Sequence, residues 1–124
     1  MIEIQNLQKR FGEKEILKGV NLQIRDGVTT VIFGLSGSGK STIIKHIVGL
    51  LKPDTGSIYV DGFDVTKASE KELLSIRKEI GFLFQSGALF DSMNVYENVA
   101  FPLREHTKMS ESEIKKEVYA ALDM

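Results

Sequence analysis

With 124 residues, of which 42% are hydrophobic and 27% charged, the chain has the length and composition of one ordinary soluble domain rather than a disordered or fibrous protein. Its 16 basic and 17 acidic residues leave a net charge of −1, so no overall field would attract nucleic acid or anionic lipid, and we expect no nucleic-acid partner. The absence of cysteine excludes disulfides and thiolate metal sites, and no apolar run approaches the roughly 18 residues of a membrane span, which favours a cytoplasmic protein.

The start of the chain is predicted to form antiparallel strands. Apolar and polar residues alternate in two stretches, at Ile2 and Ile4 and then at Val20, Leu22 and Ile24. This period of two is typical of half-buried strands, and the dipeptides Gly12-Glu13 and Asp26-Gly27 supply turns. Residues 28–33 are instead almost continuously apolar and β-branched, which predicts a strand covered on both faces.

A glycine cluster follows this predicted strand, and a helix follows the cluster. The helix is indicated by apolar residues at helical spacing, namely Ile43, Ile44, Ile47, Val48, Leu50 and Leu51. Lys45 and His46 are predicted on the opposite face, and Pro53 lies just past the end. Residues 56–60 indicate a further strand closed by the Asp61-Gly62 turn, so the β region is split around the helix.

Capping signals predict three later helices. Three residue pairs match the capping box, namely Ser69 with Glu72, Asn94 with Glu97, and Ser110 with Glu113. The first helix is expected to run to about Arg77, the second to be short and to end at Pro102, and the third to run toward Leu122. Residues 80–84 are predicted to form a short apolar strand.

Residues 34–41 match the P-loop pattern G-x-x-x-x-G-K-[ST], also called Walker A. Such a loop turns successive backbone N–H groups inward around an anion, and Gly37 and Gly39 allow the positive φ that this requires. Lys40 then reaches the β- and γ-phosphates, the Ser41 hydroxyl ligates Mg²⁺, and Thr42 is a supporting contact. A glycine-rich linker would need neither Lys40 nor Ser41. The predicted phosphate-binding residues are Gly34, Leu35, Ser36, Gly37, Ser38, Gly39, Lys40, Ser41 and Thr42.

Beyond this loop, the chain resembles the ATPase subunits of ABC transporters over its whole length, beginning with the antiparallel strands before the P-loop. Phe11 stands 23 positions before Gly34, where this family has an aromatic residue that stacks on adenine, and Ile16 is placed to pack against the ribose. The alternative is that Phe11 is an ordinary apolar residue at a turn. Residues 80–85 resemble the strand that leads into the family's Q-loop. This resemblance implies that Gln85 senses the γ-phosphate and Mg²⁺ and lies against a membrane partner.

The stretch after Gln85 resembles one subgroup of these ATPases. The matching segments are Gln85-Ser86-Gly87-Ala88-Leu89-Phe90, Met93-Asn94-Val95 to Asn98-Val99-Ala100, and Pro102-Leu103-Arg104-Glu105-His106-Thr107. The subgroup energises bacterial phospholipid trafficking and tolerance of solvents such as toluene. Membership would imply a second ATPase subunit, a transmembrane permease contacted through the Q-loop region, and a protein with an MCE domain. It would also imply a peripheral position on the inner face of the cytoplasmic membrane.

The resemblance implies an α/β fold, a P-loop NTPase core of the ABC ATPase type with an antiparallel β subdomain. Residues 1–66 would form the antiparallel region with the P-loop strand and helix, residues 67–90 a helix and the Q-loop strand, and residues 91–124 the start of a helical subdomain. The chain ends before the family's signature sequence LSGGQ, Walker B aspartate, catalytic glutamate and switch histidine. We therefore expect the parent protein to hydrolyse ATP and this chain to bind ATP with Mg²⁺ but to turn over little.

Two other functions stay open at this stage. A P-loop kinase or GTPase is the first, although the guanine-reading motif N-K-x-D is absent from the sequence. A non-transport ABC protein acting on ribosomes or DNA is the second, and the neutral charge balance disfavours it. In ABC ATPases later strands lie between the segments that match residues 28–33 and 80–84. We therefore expect exposed strand edges and self-association of this chain.

Overall fold

The computed structural model describes residues 1–124 and divides the chain into two units, Met1–Gly81 and Phe82–Met124. The first unit contains strands β1 Ile2–Phe11, β2 Lys14–Ile24, β3 Thr55–Val60 and β4 Phe63–Asp64, with helices α1 Lys40–Ile47 and α2 Glu70–Lys78. The second unit contains helices α3 Val95–His106 and α4 Glu111–Leu122. The sequence-based boundaries after residues 66 and 90 stay a prediction.

The four strands form one antiparallel sheet in the order β2-β1-β3-β4. The register places Ile4 opposite Leu22 on one side and Ile58 on the other, so the alternating apolar residues share one face. At the β3–β4 turn, Asp61 and Gly62 both have positive φ, 48° and 82°, which matches the twist of a tight hairpin. The predicted antiparallel β region, split around the helix, is confirmed.

The core of the first unit lies between the sheet and the two helices. The sheet contributes buried Ile4, Leu7, Leu17 and Ile58, and the helices contribute Ile43, Ile47 and Leu73. These are the apolar faces expected from the sequence pattern, and their burial supplies the main stabilising term of this unit. Helix α1, which follows the P-loop, is therefore held by packing along its length.

Two strand predictions are wrong for this chain. Residues 28–33 and 80–84 belong to no strand. Val28, Val31 and Phe33 are 59%, 61% and 89% exposed, so the first of these segments is not covered on both faces. A strand exists only when its N–H and C=O groups pair with a neighbour, and no segment of the chain pairs with either one.

Helix α1 is shorter than the apolar pattern predicted, because it ends at Ile47 in a Schellman motif. Gly49, with φ of 67°, donates its N–H to the His46 carbonyl at 3.0 Å, and the Leu50 N–H reaches Lys45 O at 2.9 Å. The prediction that His46 faces away from the core was also wrong. Its side chain is only 1% exposed, and its Nδ1–H donates to Thr42 O at 2.7 Å, which satisfies one ring nitrogen inside the core.

All three predicted capping boxes are present, with Ser69, Asn94 and Ser110 as the N-caps. The prediction that α3 ends at Pro102 was wrong, since the helix continues to His106. Proline inside a helix loses its N–H donor and its ring crowds the carbonyl four residues earlier, but tertiary contacts hold the remaining turn of α3. These contacts are the packing of Leu103 on the α4 core and the Arg104 ion pair with Glu111 at 2.9 Å. No helix combines the length and apolar character that crossing a membrane requires.

Candidate functional site

The P-loop forms an irregular turn that leads directly into α1. Gly37 and Gly39 have φ values of 75° and 100°, and the Ser38 N–H donates to Leu35 O at 3.2 Å across the turn. Helix α1 begins only at Lys40, with Gly39 as its N-cap. The positive φ values explain why glycine occupies both positions, since other residues rarely adopt them.

Gly39 also has a packing reason to lack a side chain. A Cβ atom built on it would lie 2.9 Å from both Ile16 Cγ2 and Leu17 Cδ2, which is closer than real contacts allow. Strand β2 can therefore lie directly against the P-loop only because residue 39 is glycine. At Gly37 an added Cβ would meet nothing within 4 Å, so only the backbone conformation requires glycine there.

The N-terminus of α1 is built to favour an anion. Its first N–H groups have no partner within the helix, Gly39 provides no side-chain cap, and no acidic residue occupies the first turn. The Lys40 ammonium folds back along the loop and donates to Gly34 O and Leu35 O at 2.7 Å each. A positive charge and free N–H donors thus converge on one loop, which fits a phosphate group.

A pocket of about 200 Å³ joins this loop to the β-sheet. It is lined by Phe11, Ile16, Gly37, Gly39, Lys40, Ser41 and Thr42. Phe11 is 47% exposed at the end of β1 and Ile16 is partly buried in β2. The pocket therefore has an aromatic and aliphatic wall beside a polar, cationic floor.

The remaining predicted phosphate-binding residues lie in the loop but outside this lining. Leu35, Ser36 and Ser38 are exposed. Gly34 lies close enough to Ser38 that an added Cβ would stand 2.7 Å from its hydroxyl oxygen. These residues shape the loop in the structure, and their direct contact with phosphate stays a prediction.

Next to Phe11 and outside the pocket lining are three residues that the sequence reasoning did not assign to the site, Lys9, Arg10 and Asp54. The Lys9 ammonium lies 5.6 Å from the centre of the Phe11 ring and donates to Lys52 O at 2.8 Å and Asp54 Oδ1 at 3.1 Å. The Arg10 N–H donates to Asp54 Oδ2 at 2.7 Å. The Arg10 N–H and the Lys9 ammonium both stabilise the carboxylate, so the pKa of Asp54 lies below its ordinary value of 3.8. The available signal was the spacing of Lys9 and Phe11, which places both on one face of β1.

Gln85 lies in the second unit, exposed in a turn closed by the Gly87 N–H donating to Phe84 O at 2.9 Å. The Ser41 hydroxyl is exposed in the first turn of α1, beside the pocket, where an oxygen ligand suits Mg²⁺. The structure thus places Ser41 at the P-loop pocket, and the shared Mg²⁺ role of Ser41 and Gln85 stays a prediction.

The family pattern described as ABC transporter matches residues 17–124, which is most of the chain. The chain belongs to the ABC transporter family. Members include the probable ribonucleotide transport ATP-binding protein mkl of Mycobacterium leprae, 51% identical over 123 residues, in a match that covers 99% of this chain and 35% of that protein. The intermembrane phospholipid transport system ATP-binding protein MlaF of Haemophilus influenzae is 45% identical over 123 residues, covering 99% of this chain and 47% of that protein.

Solved structures of ABC cassettes share the fold. The ATP-binding cassette MJ0796, a dimer in a post-hydrolysis state bound to ADP and phosphate, matches with a TM-score of 0.90 and 37% identity. That match covers 99% of this chain and 56% of the other. The predicted fold class, an ABC-type P-loop NTPase with an antiparallel sheet, is confirmed. The chain spans between 35% and 56% of the length of these three relatives.

Proposed function

We propose that this chain is the nucleotide-binding part of an ABC transporter ATPase and that it binds ATP in the pocket beside the P-loop. One observation carries the proposal: a single pocket brings the predicted base-side residues Phe11 and Ile16 together with predicted phosphate-binding residues, namely Gly37, Gly39, Lys40, Ser41 and Thr42. These residues are separated by more than twenty positions in the sequence. Their meeting provides an apolar surface for a base and ribose next to a cationic loop for phosphates.

Each part of the pocket has a chemical role in this proposal. The free N–H groups at the start of α1 and the Lys40 ammonium neutralise the β- and γ-phosphates. Ser41 would supply a hydroxyl ligand to Mg²⁺, and Gln85 is the second ligand that the family resemblance implies. The ion would lower the charge repulsion between phosphate oxygens. Phe11 stacks on adenine and Ile16 packs on the ribose. Leu35, Ser36 and Ser38 keep the loop in its curved form.

Isothermal titration calorimetry of the purified chain tests the binding proposal with ATP, GTP and inorganic tripolyphosphate in the presence of Mg²⁺. We expect Lys40→Ala to weaken ATP and tripolyphosphate about tenfold or more, because a charge-assisted contact contributes roughly 1.5–3 kcal/mol. Lys45→Ala is the matched control, since it removes an exposed lysine from the other end of the same helix. Absence of ATP binding by the wild-type chain, or equal effects of the two substitutions, would contradict the proposal. Binding of GTP in clear preference to ATP would favour a GTPase.

For the whole protein we propose ATP hydrolysis between two ATPase subunits, coupled to a transmembrane permease at the inner face of the membrane. Membership of the ABC transporter family and the dimeric state of the related cassette support this. Phosphoryl transfer to water needs an oriented nucleophile and charge stabilisation on both sides of the γ-phosphate, and this chain provides groups for one side. Phosphate release from the full-length protein, assayed with and without its permease, tests the activity.

We further propose that the transported substrate is a phospholipid or a related hydrophobic solute, handled with an MCE-domain protein. The support is the stretch after Gln85 and the similarity to MlaF, named for intermembrane phospholipid transport. The relatives named mkl are described as transporting ribonucleotides, which gives the competing substrate class. A strain carrying Lys40→Ala in the full-length protein should lose phospholipid transport and solvent tolerance but take up ribonucleotides normally. The reverse pattern would favour ribonucleotide transport, and a Lys45→Ala strain controls for expression.

A further inference from the structure

Next to Phe11, outside the pocket lining, lies a group of polar contacts that the proposed function does not use. We define the Lys9–Asp54 clasp as the side chains of these two residues with the Lys52 carbonyl and the Arg10 N–H. The Lys9 side chain is only 17% exposed, although lysine is ordinarily solvated. Its ammonium donates to Lys52 O and to Asp54 Oδ1, at 2.8 and 3.1 Å. A lysine held by two acceptors is fixed in place rather than free to sample solvent.

The clasp joins two parts of the pocket that are distant in sequence. Lys9 and Arg10 lie at the end of β1, two residues and one residue before Phe11. Residues 52–54 are the segment that leaves α1 after its Schellman motif and enters β3. Besides the Lys9 contacts, the Arg10 N–H donates to Asp54 Oδ2 at 2.7 Å and the Asp54 N–H donates to Gln8 O at 3.0 Å. The end of β1 is therefore tied to the chain that follows the phosphate-binding helix.

The clasp also touches the Phe11 ring itself. The Lys9 ammonium lies 5.6 Å from the ring centre, within the range of a cation–π contact. Phe11 lines the pocket and remains 47% exposed, so part of its surface stays free to contact a ligand. A cation near one part of an aromatic ring restricts its rotation and fixes the surface that it offers to a stacked base.

We propose that Lys9 and Asp54 are positioning residues that hold the Phe11 ring in the orientation a nucleotide base requires. The inference rests on the proposed function, because it takes the base to stack on Phe11. It adds that base affinity depends on a charge pair outside the pocket lining, whereas phosphate affinity does not. Lys9 and Asp54 act through Phe11 and need not contact the nucleotide.

The test separates base binding from phosphate binding by comparing ATP with inorganic tripolyphosphate in calorimetry on the full chain. Lys9→Met removes the ammonium but keeps an unbranched apolar stem. We expect it to weaken ATP about threefold to tenfold, the range of a partly desolvated cation–π contact, and to leave tripolyphosphate within about twofold. Lys9→Arg should restore most of the ATP affinity. Asp54→Asn should shift ATP in the same direction by a smaller factor. Lys67→Met is the control, because Lys67 pairs only with Asp64 and is 82% exposed.

Circular dichroism and the thermal midpoint first establish that each variant is folded. Selective loss of ATP affinity in Lys9→Met, with rescue by Lys9→Arg, supports the inference. Equal loss for ATP and tripolyphosphate overturns it, because Lys9 would then act through the general fold of the loop. Unchanged ATP affinity in Lys9→Met also overturns it while leaving the proposed function intact. If the wild-type chain binds ATP no more tightly than tripolyphosphate, both the stacking proposal and this inference fail.

Discussion

Replacing Gly39 by alanine should destabilise the chain through two separable effects. The first is conformational, because φ at this position is 100° and an L-residue there costs roughly 1–2 kcal/mol. The second is steric, because the new Cβ would stand 2.9 Å from both Ile16 Cγ2 and Leu17 Cδ2. Leu17 is buried in the core and cannot move freely, so overpacking should add about 1–3 kcal/mol. The expected total is roughly 2–5 kcal/mol.

Gly37→Ala is the matched control for this prediction. Its φ is 75°, but an added Cβ meets nothing within 4 Å, so only the conformational cost of about 1–2 kcal/mol applies. Urea unfolding followed by circular dichroism measures both variants. Gly39→Ala should be the less stable by about 1–3 kcal/mol. Equal stability of the two variants would refute the claim that β2 is pressed against the P-loop at Gly39.

Three further predictions concern stability and association. Arg77→Met should lower the unfolding free energy by about 1–3 kcal/mol, because Arg77 donates to Val48 O and Gly49 O at 2.9 and 3.0 Å. Glu70→Gln removes the exposed ion pair at 3.5 Å and one negative charge from the first turn of α2, and it should cost under about 1 kcal/mol in the same urea titration. Hydrogen bonds from the Ser69 and Ser110 caps lower the pKa of Glu72 and Glu113. The stability that these two carboxylates give the fold is complete above the ordinary value of 4.5 and is lost as pH falls through the lowered pKa, so melting curves from neutral to acidic pH should show less acid sensitivity after Glu72→Gln than in the wild type. The exposed, unpaired residues 28–33 should drive self-association that is visible by light scattering at micromolar concentration, and a substitution such as Val31→Lys should reduce this association. A monodisperse wild-type monomer would contradict the prediction.

Local signals in the sequence were sufficient where a structure depends on neighbouring residues. The capping boxes at Ser69, Asn94 and Ser110 form as predicted, because each involves residues three positions apart. The P-loop turn likewise follows from glycine spacing. The hairpin at Asp61 and Gly62 needs only its own two residues to adopt positive φ.

Sequence pattern failed where structure depends on distant partners. Residues 28–33 have strong strand propensity, but a strand needs a neighbouring ladder, and the chain pairs none with them. Pro102 predicted the end of α3, but the packing of Leu103 against α4 stabilises the helix beyond this proline. Because His46 is polar, its sequence context predicted a position on the solvent side of α1. Its bond to Thr42 O and its burial depend on how α1 packs, which periodicity does not specify.

The same distinction applies to the candidate site. Lys40 and Ser41 could be assigned from the motif alone, because the chemistry requires those residue types at that spacing. Phe11 and Ile16 could be proposed only through resemblance to a family, and the fold then placed them in the same pocket as the P-loop. Lys9 and Asp54 could not be assigned to the site from the sequence, because their contact spans 45 positions and no motif links them.

We expect ATP to bind with its base on Phe11 and its phosphates on the P-loop. Because the sequence contains no tryptophan, Phe11→Trp places a single tryptophan at the proposed stacking surface, and its fluorescence can be excited selectively over that of the three tyrosines. Titration with ATP should quench or shift this fluorescence, tripolyphosphate should bind with little spectral change, and Lys40→Ala in the same background should move the ATP response to much higher concentration. An unchanged spectrum at ATP concentrations where calorimetry shows binding would contradict the account.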